Sequence, residues 1–175
     1  TTVDTVPAEV PYLAADPARA SAWRSRLPDD GTPRVGIVWS RFNEEIVREL
    51  YTCIQANRAD RFEALVSTEH VDHSNGRHGP AGFAAAVANL HNAYSNFRIE
   101  LETVVAADDL VVIQWHETGL HTGQFFNLKP NQPFEARGLN MYRLAHGKIV
   151  DSWIAVDPKT FRAQQLAQAT LRDAT

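Results

Sequence analysis

The chain has 175 residues and a mass of 19.5 kDa, which suits one domain with a sizeable hydrophobic core. Hydrophobic residues make up 44% of it and charged residues 22%, which argues against disorder across the whole chain. A net charge of −4 and a pI near 5.9 argue against a protein that neutralises nucleic-acid phosphates, so we expect no nucleic-acid partner.

Membrane and export signals are not found in the sequence. No apolar run approaches the roughly 20 residues that span a bilayer, and the first residues lack the basic-then-apolar pattern of a signal peptide. The one cysteine, Cys53, cannot form an intrachain disulfide, which fits a reducing compartment. We therefore expect a cytoplasmic protein with no membrane partner.

The first 39 residues differ in composition from the rest of the chain. They hold five of the nine prolines, which favours an extended arm over regular structure. Residues 35–39 form an apolar run that we expect to be a strand. We place the domain boundary here, with an N-terminal arm at 1–39 and a single domain at 40–175.

Three helices are predicted after the arm. Asn43 is expected to cap the first helix, which carries one apolar stripe of helical period. A short helix follows at 61–65, then a strand that ends in a loop near 73, then a third helix after Pro80. The residues of the first apolar stripe are Ile46, Val47, Leu50, Tyr51 and Ile54.

From Phe97 the apolar residues alternate with polar ones, which indicates strands. Four long antiparallel strands are predicted, with a tight hairpin turn at 146–148 in which Gly147 supplies a positive φ. Residues 157–158 are expected to start a closing helix. Helices followed by such strands are typical of the α+β class.

Four short motifs carry a family resemblance: HVDH at 70–73, GLHTG at 119–123, GLNMYR at 138–143 and GKIVDSW at 147–153. With them, residues 43–171 resemble the SnoaL-like polyketide cyclases and related ester cyclases of the nuclear transport factor two-like superfamily. The resemblance implies helices followed by a strongly curved antiparallel sheet around a conical pocket, a cone-shaped α+β barrel. It also implies a cofactor-free homodimer that closes a ring of a polyketide ester by intramolecular aldol chemistry.

The sequence departs from that family at the expected catalytic acid. The cyclases, and the similar limonene epoxide hydrolases, have an acidic residue where this chain has Ile154. At the position of Asn140 the cyclases tend to have a histidine and the hydrolases an aspartate. Asparagine can donate a hydrogen bond to an enolate oxygen, but it cannot move a proton at neutral pH.

Strand alternation extends the pocket face that the resemblance implies. If Asn140 faces inward, the other inward positions are Gly138, Tyr142, Ser152 and Ile154. In the preceding strand the apolar set that ends at Trp115 brings Glu117 to the same face. A carboxyl in an apolar pocket has a raised pKa and can act as an acid or base near neutrality. The alternative is a kink near Gly119 that exposes Glu117 to water.

The densest group of titratable residues is His70, Asp72, His73 and His78, and it offers further candidates for proton transfer. His70 and Asp72 are predicted to share one strand face, with His73 on the other, and Asp72 matches a polar pocket position of the family. Asp72, Glu117, His73 and His121 are therefore the candidate catalytic residues. His121 either orients a ligand carbonyl or braces the following loop. We expect no metal, because three converging ligands and their supporting shell are not indicated.

Aromatic residues near the predicted pocket suit a flat hydrophobic ligand, although at strand spacing they are equally expected in the core. They are Trp115, Tyr142, Phe125, Phe126 and Phe134.

The sequence thus favours a cofactor-independent cyclase or isomerase, or a related lyase, acting on a polyketide-like or other hydrophobic carbonyl compound. Its proton chemistry would move from the lost acidic position to Asp72, Glu117 or a histidine. A non-catalytic binding or accessory protein of the same fold is the alternative. Epoxide hydrolysis is disfavoured, because it too needs the acid that Ile154 replaces.

Overall fold

The structure, a computed structural model, describes residues 35–123 and 129–158. Its helices are α1 (Val35–Gln55), a 3₁₀ turn (Ala59–Arg61), α2 (Phe62–Leu65) and α3 (Gly79–Ala93). Its strands are β1 (Val66–Asp72), β2 (Arg77–His78), β3 (Tyr94–Ala107), β4 (Leu110–His121), β5 (Pro133–Ala145) and β6 (Lys148–Val156). The predicted α+β class and the four long strands are confirmed.

The strands form one six-stranded sheet in the order β2-β1-β6-β5-β4-β3. The long strands β3 to β6 pair antiparallel, but β1 runs parallel to β6. The sheet is therefore mixed, where an antiparallel sheet was expected. The physical reason is that β1 precedes α3, and a long connection lets a strand return in the same direction. The sheet curls but does not close, because β2 and β3 remain its edges.

Helix α1 begins earlier than the sequence predicted. The expected strand at 35–39 is wrong, because these residues are the first turns of α1. Trp39, Phe42 and Ile46 keep helical spacing with no proline or glycine between them, so the run continues the helix. Asn43 consequently lies inside α1 and does not cap it, and its Nδ2 donates a 2.7 Å hydrogen bond to the carbonyl oxygen of Asp108.

The core lies between α1 and the inner face of the curled sheet. Helix α1 packs on β3 and β4 through the predicted apolar stripe. The largest fully buried side chains of the core include Ile46, Leu50, Phe62, Leu65, Ile113 and Ile149. No helix in the described ranges has the length and apolar character needed to cross a membrane.

The hairpin between β5 and β6 follows the prediction. Gly147 has a φ of 73° and His146 a φ of 52°, so both turn residues adopt the left-handed conformation that such hairpins require. The closing helix expected after 158 lies outside the described residues, as do Phe125 and Phe126. The domain boundary at 39 stays a prediction, and α1 runs across it.

Candidate functional site

Polar side chains of three neighbouring strands meet on the inner face of the sheet. Gly138, Asn140 and Tyr142 of β5 all point inward, as strand alternation predicted. Across the strands Asn140 pairs with Ile113 of β4 and with Ile154 of β6. The remaining predicted members of this face are Trp115 and Glu117 of β4 and Ser152 of β6, all buried, and Ile154, which is half-buried.

The indole of Trp115 lies directly over Gly138, its partner across the sheet. A Cβ atom added at Gly138 would overlap Cζ2 of Trp115 and lie 2.5 Å from the carbonyl oxygen of Ala155. Only glycine leaves room for the indole, so the glycine of the GLNMYR motif fixes where Trp115 lies.

We therefore expect Gly138→Ala to destabilise the fold by about 1–3 kcal/mol, the usual range for overpacking a core. The substitution must displace either the indole of Trp115 or the backbone of β6. Urea unfolding followed by tryptophan fluorescence would measure it.

The control is Gly82→Ala in α3, where the added methyl group meets Cβ of Arg77 at 3.3 Å and alanine favours the helix. We expect Gly82→Ala to leave stability unchanged or raised. Equal stabilities for the two variants would contradict the packing described for Trp115.

Four side chains form a buried hydrogen-bond network on this face. Nε1 of Trp115 donates to Oδ1 of Asn140 at 2.9 Å. Nδ2 of Asn140 donates to the hydroxyl of Tyr51 at 2.7 Å and to that of Tyr142 at 3.0 Å. The two hydroxyls are 2.8 Å apart and share a further hydrogen bond. Because an indole N–H can only donate, it fixes which end of the Asn140 amide faces Trp115.

Tyr51 is the functional candidate that the sequence did not reveal. It lies on α1 within the apolar stripe and was interpreted only as a core residue. Its ring meets that of Tyr142 edge to face, with centroids 6.3 Å apart. The one signal available was a hydroxyl at a core position, since buried tyrosine hydroxyls usually find a hydrogen-bond partner.

Glu117 is a buried carboxyl on the inner face. Its exposed fraction is 8%, and its cross-strand neighbours are Ile99 and Ala136. No hydrogen bond joins its carboxyl to any residue between 35 and 123 or between 129 and 158. Burial raises the pKa of Glu117 from 4.5 to about 7, because the carboxylate form loses hydration. Strand β4 continues through Gly119 to His121, so the predicted alternative of a kink does not occur.

Glu117 lies within electrostatic reach of three phenols. Burial raises the pKa of Tyr94 to about 12, and the Glu117 carboxylate adds to that shift. The carboxylate is also a smaller cause of the raised pKa of Tyr51, after burial and Tyr142, and of the raised pKa of Tyr142, after burial and Asp72. The acid and the phenol pair therefore belong to the same site.

Asp72 is buried, but its carboxylate is occupied by the loop after β1. Oδ1 accepts hydrogen bonds from the backbone N–H groups of Ser74 at 2.9 Å and Asn75 at 3.2 Å, and Oδ2 accepts one from Nδ2 of Asn75 at 3.0 Å. This is the way an aspartate stabilises a turn. The geometry gives Asp72 a structural task, so Glu117 is the better candidate for proton transfer.

The predicted pairing of Asp72 with a pocket histidine does not form in the described ranges. His70 faces inward but places Nε2 3.0 Å from Oγ of Ser152, and its Nδ1 has no partner there. Burial lowers the pKa of His70, so this imidazole is neutral at pH 7. His70 and Ser152 thus form a buried neutral pair beside the phenol network.

His73 lies on the outer face of the sheet, as predicted, and so is separated from the inner-face groups. Its ring stacks on Trp153 with centroids 4.6 Å apart, and Nε2 is 2.7 Å from Oδ1 of Asp151. Nothing in this arrangement supports its candidacy as a catalytic residue.

His121 lies at the end of β4 among aromatic rings. It is 2% exposed, and its ring is 5.1 Å from that of Tyr94 and 5.6 Å from that of Phe134. Nε2 of His121 has no hydrogen-bond partner in the described part of the chain, and burial lowers its pKa. Its backbone N–H and C=O bond to 131–132, so it also braces the loop. The structure is compatible with both predicted roles.

A separate groove of about 230 Å³ lies at the other end of the sheet, by the hairpin turns. It is lined by Asn43, Asp108, Asp109 and residues 144–147. None of the inner-face polar groups reaches it, so it is distinct from the candidate site. Within the described ranges, no group of three or more histidine, cysteine, aspartate or glutamate side chains is arranged to hold a metal ion.

Comparison with known proteins agrees with this architecture. The family model for SnoaL-like polyketide cyclases matches residues 44–165. IdmH of Streptomyces antibioticus, a proposed polyketide cyclase, is 22% identical and superposes with a TM-score of 0.62 over 70% of this chain and 97% of its own. A proposed SnoaL-like cyclase of Jannaschia sp. CCS1 is 21% identical, with a TM-score of 0.64 over 78% and 96%.

AclR of Streptomyces galilaeus, a proposed hydroxylase, is 17% identical with a TM-score of 0.62 over 70% of this chain and 83% of its own. Likeness at such low identity establishes the fold alone, and one fold hosts several chemistries. A comparison with curated proteins gave no match.

Proposed function

Because this chain belongs to the SnoaL-like polyketide cyclase family, we propose that it is a cyclase or isomerase that moves a proton on a hydrophobic, polyketide-like carbonyl compound. Glu117 is the acid and base of this reaction. It takes over the role of the acidic residue that the family has at the position of Ile154. The observation that carries the proposal is the buried Glu117 carboxyl with a pKa of about 7 on the inner face of the sheet. A catalytic group works best when its pKa lies near the working pH.

The proposed reaction balances without an added reagent. The Glu117 carboxylate takes a proton from the carbon beside a carbonyl group, and the electron pair of that C–H bond leaves an enolate. In a cyclisation the enolate carbon bonds to a second carbonyl carbon of the same molecule, and protonated Glu117 returns its proton to the new alkoxide. In an isomerisation the proton returns to another carbon. Neither reaction consumes an oxidant or a reductant.

Proton exchange tests this proposal before the natural substrate is known. Aromatic and aliphatic polyketide esters incubated with the protein in heavy water should take up deuterium beside the carbonyl group, as read by mass spectrometry. The rate should rise with pH up to about 7, because Glu117 acts as a base only when it is ionised.

The alternative function predicts a different result. If these esters raise the melting temperature but exchange no protons, the protein binds its ligand without catalysis.

The cytoplasmic location stays a prediction and rests on the single cysteine, Cys53.

We also propose that the protein is a homodimer formed through the outer face of the sheet. Leu139 is 53% exposed and Val105 57% exposed on this face, and the half-buried Val112, Met141 and Trp153 lie beside them. Exposed apolar area of this kind is commonly buried against another chain. Light scattering at micromolar concentration should give twice the chain mass, and a mass of 19.5 kDa would rule the dimer out.

A further inference from the structure

The phenol pair of Tyr51 and Tyr142 holds one hydrogen more than its network uses. Each phenol brings one O–H, and one of these hydrogens forms the 2.8 Å bond between the two oxygens. The second hydrogen has no acceptor among the described residues, since the other bonds to these oxygens come from the amide of Asn140. A buried donor without an acceptor is costly, so a partner for this hydrogen is expected.

The amide of Asn140, which the sequence suggested as an enolate donor, is held within the hydrogen-bond network. Its Nδ2 donates to the two phenol oxygens, and its Oδ1 accepts from Trp115. Trp115 is in turn held over Gly138, so the amide is fixed in place. The phenol pair, with its free hydrogen, is therefore a second candidate donor beside the asparagine.

We infer that the phenol pair of Tyr51 and Tyr142 receives the carbonyl oxygen of a ketone. The inference rests on the proposed function for the fate of that oxygen, and it names the class of substrate. The free hydrogen requires a ligand atom that accepts, which a carbonyl oxygen does and an ammonium or an amine N–H does not.

After burial, two carboxyl groups, Asp72 and Glu117, raise the pKa of Tyr142 through their negative charge, which favours a neutral ketone over a ligand that is already an anion. An anionic oxygen at the phenols would be repelled by the Glu117 carboxylate, whose field they already feel. A neutral ketone avoids that repulsion. When Glu117 takes the proton, its negative charge disappears as the enolate charge appears on the oxygen, so proton transfer leaves the summed charge of Glu117 and the ligand unchanged. The Glu117 carboxylate acts in this way on Tyr51 of α1, Tyr94 of β3 and Tyr142 of β5, and Asp72 of β1 acts on Tyr142 as well.

The test compares acetylnaphthalene with ethylnaphthalene, which have nearly the same shape and differ in the carbonyl oxygen. Calorimetric titration gives the ratio of their affinities for the wild-type protein and for the double variant Tyr51→Phe with Tyr142→Phe. The double variant should reduce the preference for the ketone by at least about tenfold, the effect of one lost hydrogen bond in a water-free site. Tyr94→Phe is the matched control, because it removes a phenol of the same face outside the network, and it should keep the preference.

A second measurement uses the wild-type protein and does not depend on the folding of a variant. The infrared stretching band of a ¹³C-labelled carbonyl in the bound ketone should lie at lower frequency than the band of the same ketone in hexane. A hydrogen bond donated by a phenol to the carbonyl oxygen lowers this frequency. A hexane-like frequency, an unchanged ratio in the double variant, or no binding of either naphthalene would overturn the inference. Neither measurement involves turnover, so both test the phenol pair independently of the proposed reaction. Normal turnover by Glu117→Gln would overturn the proposed reaction and leave the inference about the phenol pair standing.

Discussion

Replacing Glu117 with glutamine should reduce turnover at least about a hundredfold while substrate binding is retained. Glutamine has nearly the same length and shape, but its amide cannot take up a proton at neutral pH. A general acid or base typically contributes about 10²–10⁴-fold to the rate. Steady-state kinetics on a substrate found by proton exchange would show the loss in kcat, with KM little changed.

Asp72→Asn is the matched control for this loss. Asparagine can still accept the backbone hydrogen bonds of Ser74 and Asn75, so the loop after β1 should keep its turn. We expect turnover close to that of the wild type. If Asp72→Asn loses activity and Glu117→Gln keeps it, proton transfer belongs to Asp72 and our assignment is wrong.

The same glutamine variant should make the protein more stable at high pH. The folded state raises the pKa of Glu117 from 4.5 to about 7, so folding favours its protonated form. The contribution of protonated Glu117 to the free energy of unfolding is therefore fully present below pH 4.5 and is lost as pH rises through about 7. At about 1.4 kcal/mol for each pH unit, ionisation of this carboxyl costs the folded state about 3 kcal/mol by pH 8.

Glu117→Gln removes that cost, because glutamine does not ionise. Its free energy of unfolding relative to the wild type should increase by about 3 kcal/mol between pH 4.5 and pH 8. Urea unfolding of both proteins at the two pH values measures the difference. A difference that does not change with pH would show that Glu117 is solvated in the folded protein. Loss of activity together with a gain in stability is expected when a catalytic group that is costly to bury is replaced.

The residues of the inner face could be predicted because strand alternation is a local rule. Once Asn140 is directed inward, Gly138, Tyr142 and the paired Ser152 follow from a period of two, and Glu117 follows from Trp115. The hairpin turn that sets the register is also local, since two adjacent residues determine it. These features need no knowledge of the tertiary fold.

Contacts between distant residues could not be predicted in this way. Tyr51 looks like any apolar-stripe residue until α1 packs on the sheet and brings it to Tyr142, 91 positions along the chain. The loop bonds of Asp72 were equally hidden, because both a turn aspartate and a catalytic aspartate fit the HVDH motif. At 35–39 the apolar run suggested a strand, and only its continuity with the helix decided otherwise.

The pKa of Glu117 is the quantity on which the proposed reaction depends most directly. Protein labelled with ¹³C at the glutamate carboxyl groups gives one NMR signal for each glutamate, and the signal absent from Glu117→Gln identifies this residue. Its chemical shift, followed from pH 3 to pH 9, should have a midpoint of about 7. A midpoint near the ordinary value of 4.5 would contradict the account, because Glu117 would then be a solvated carboxylate with no special capacity for proton transfer.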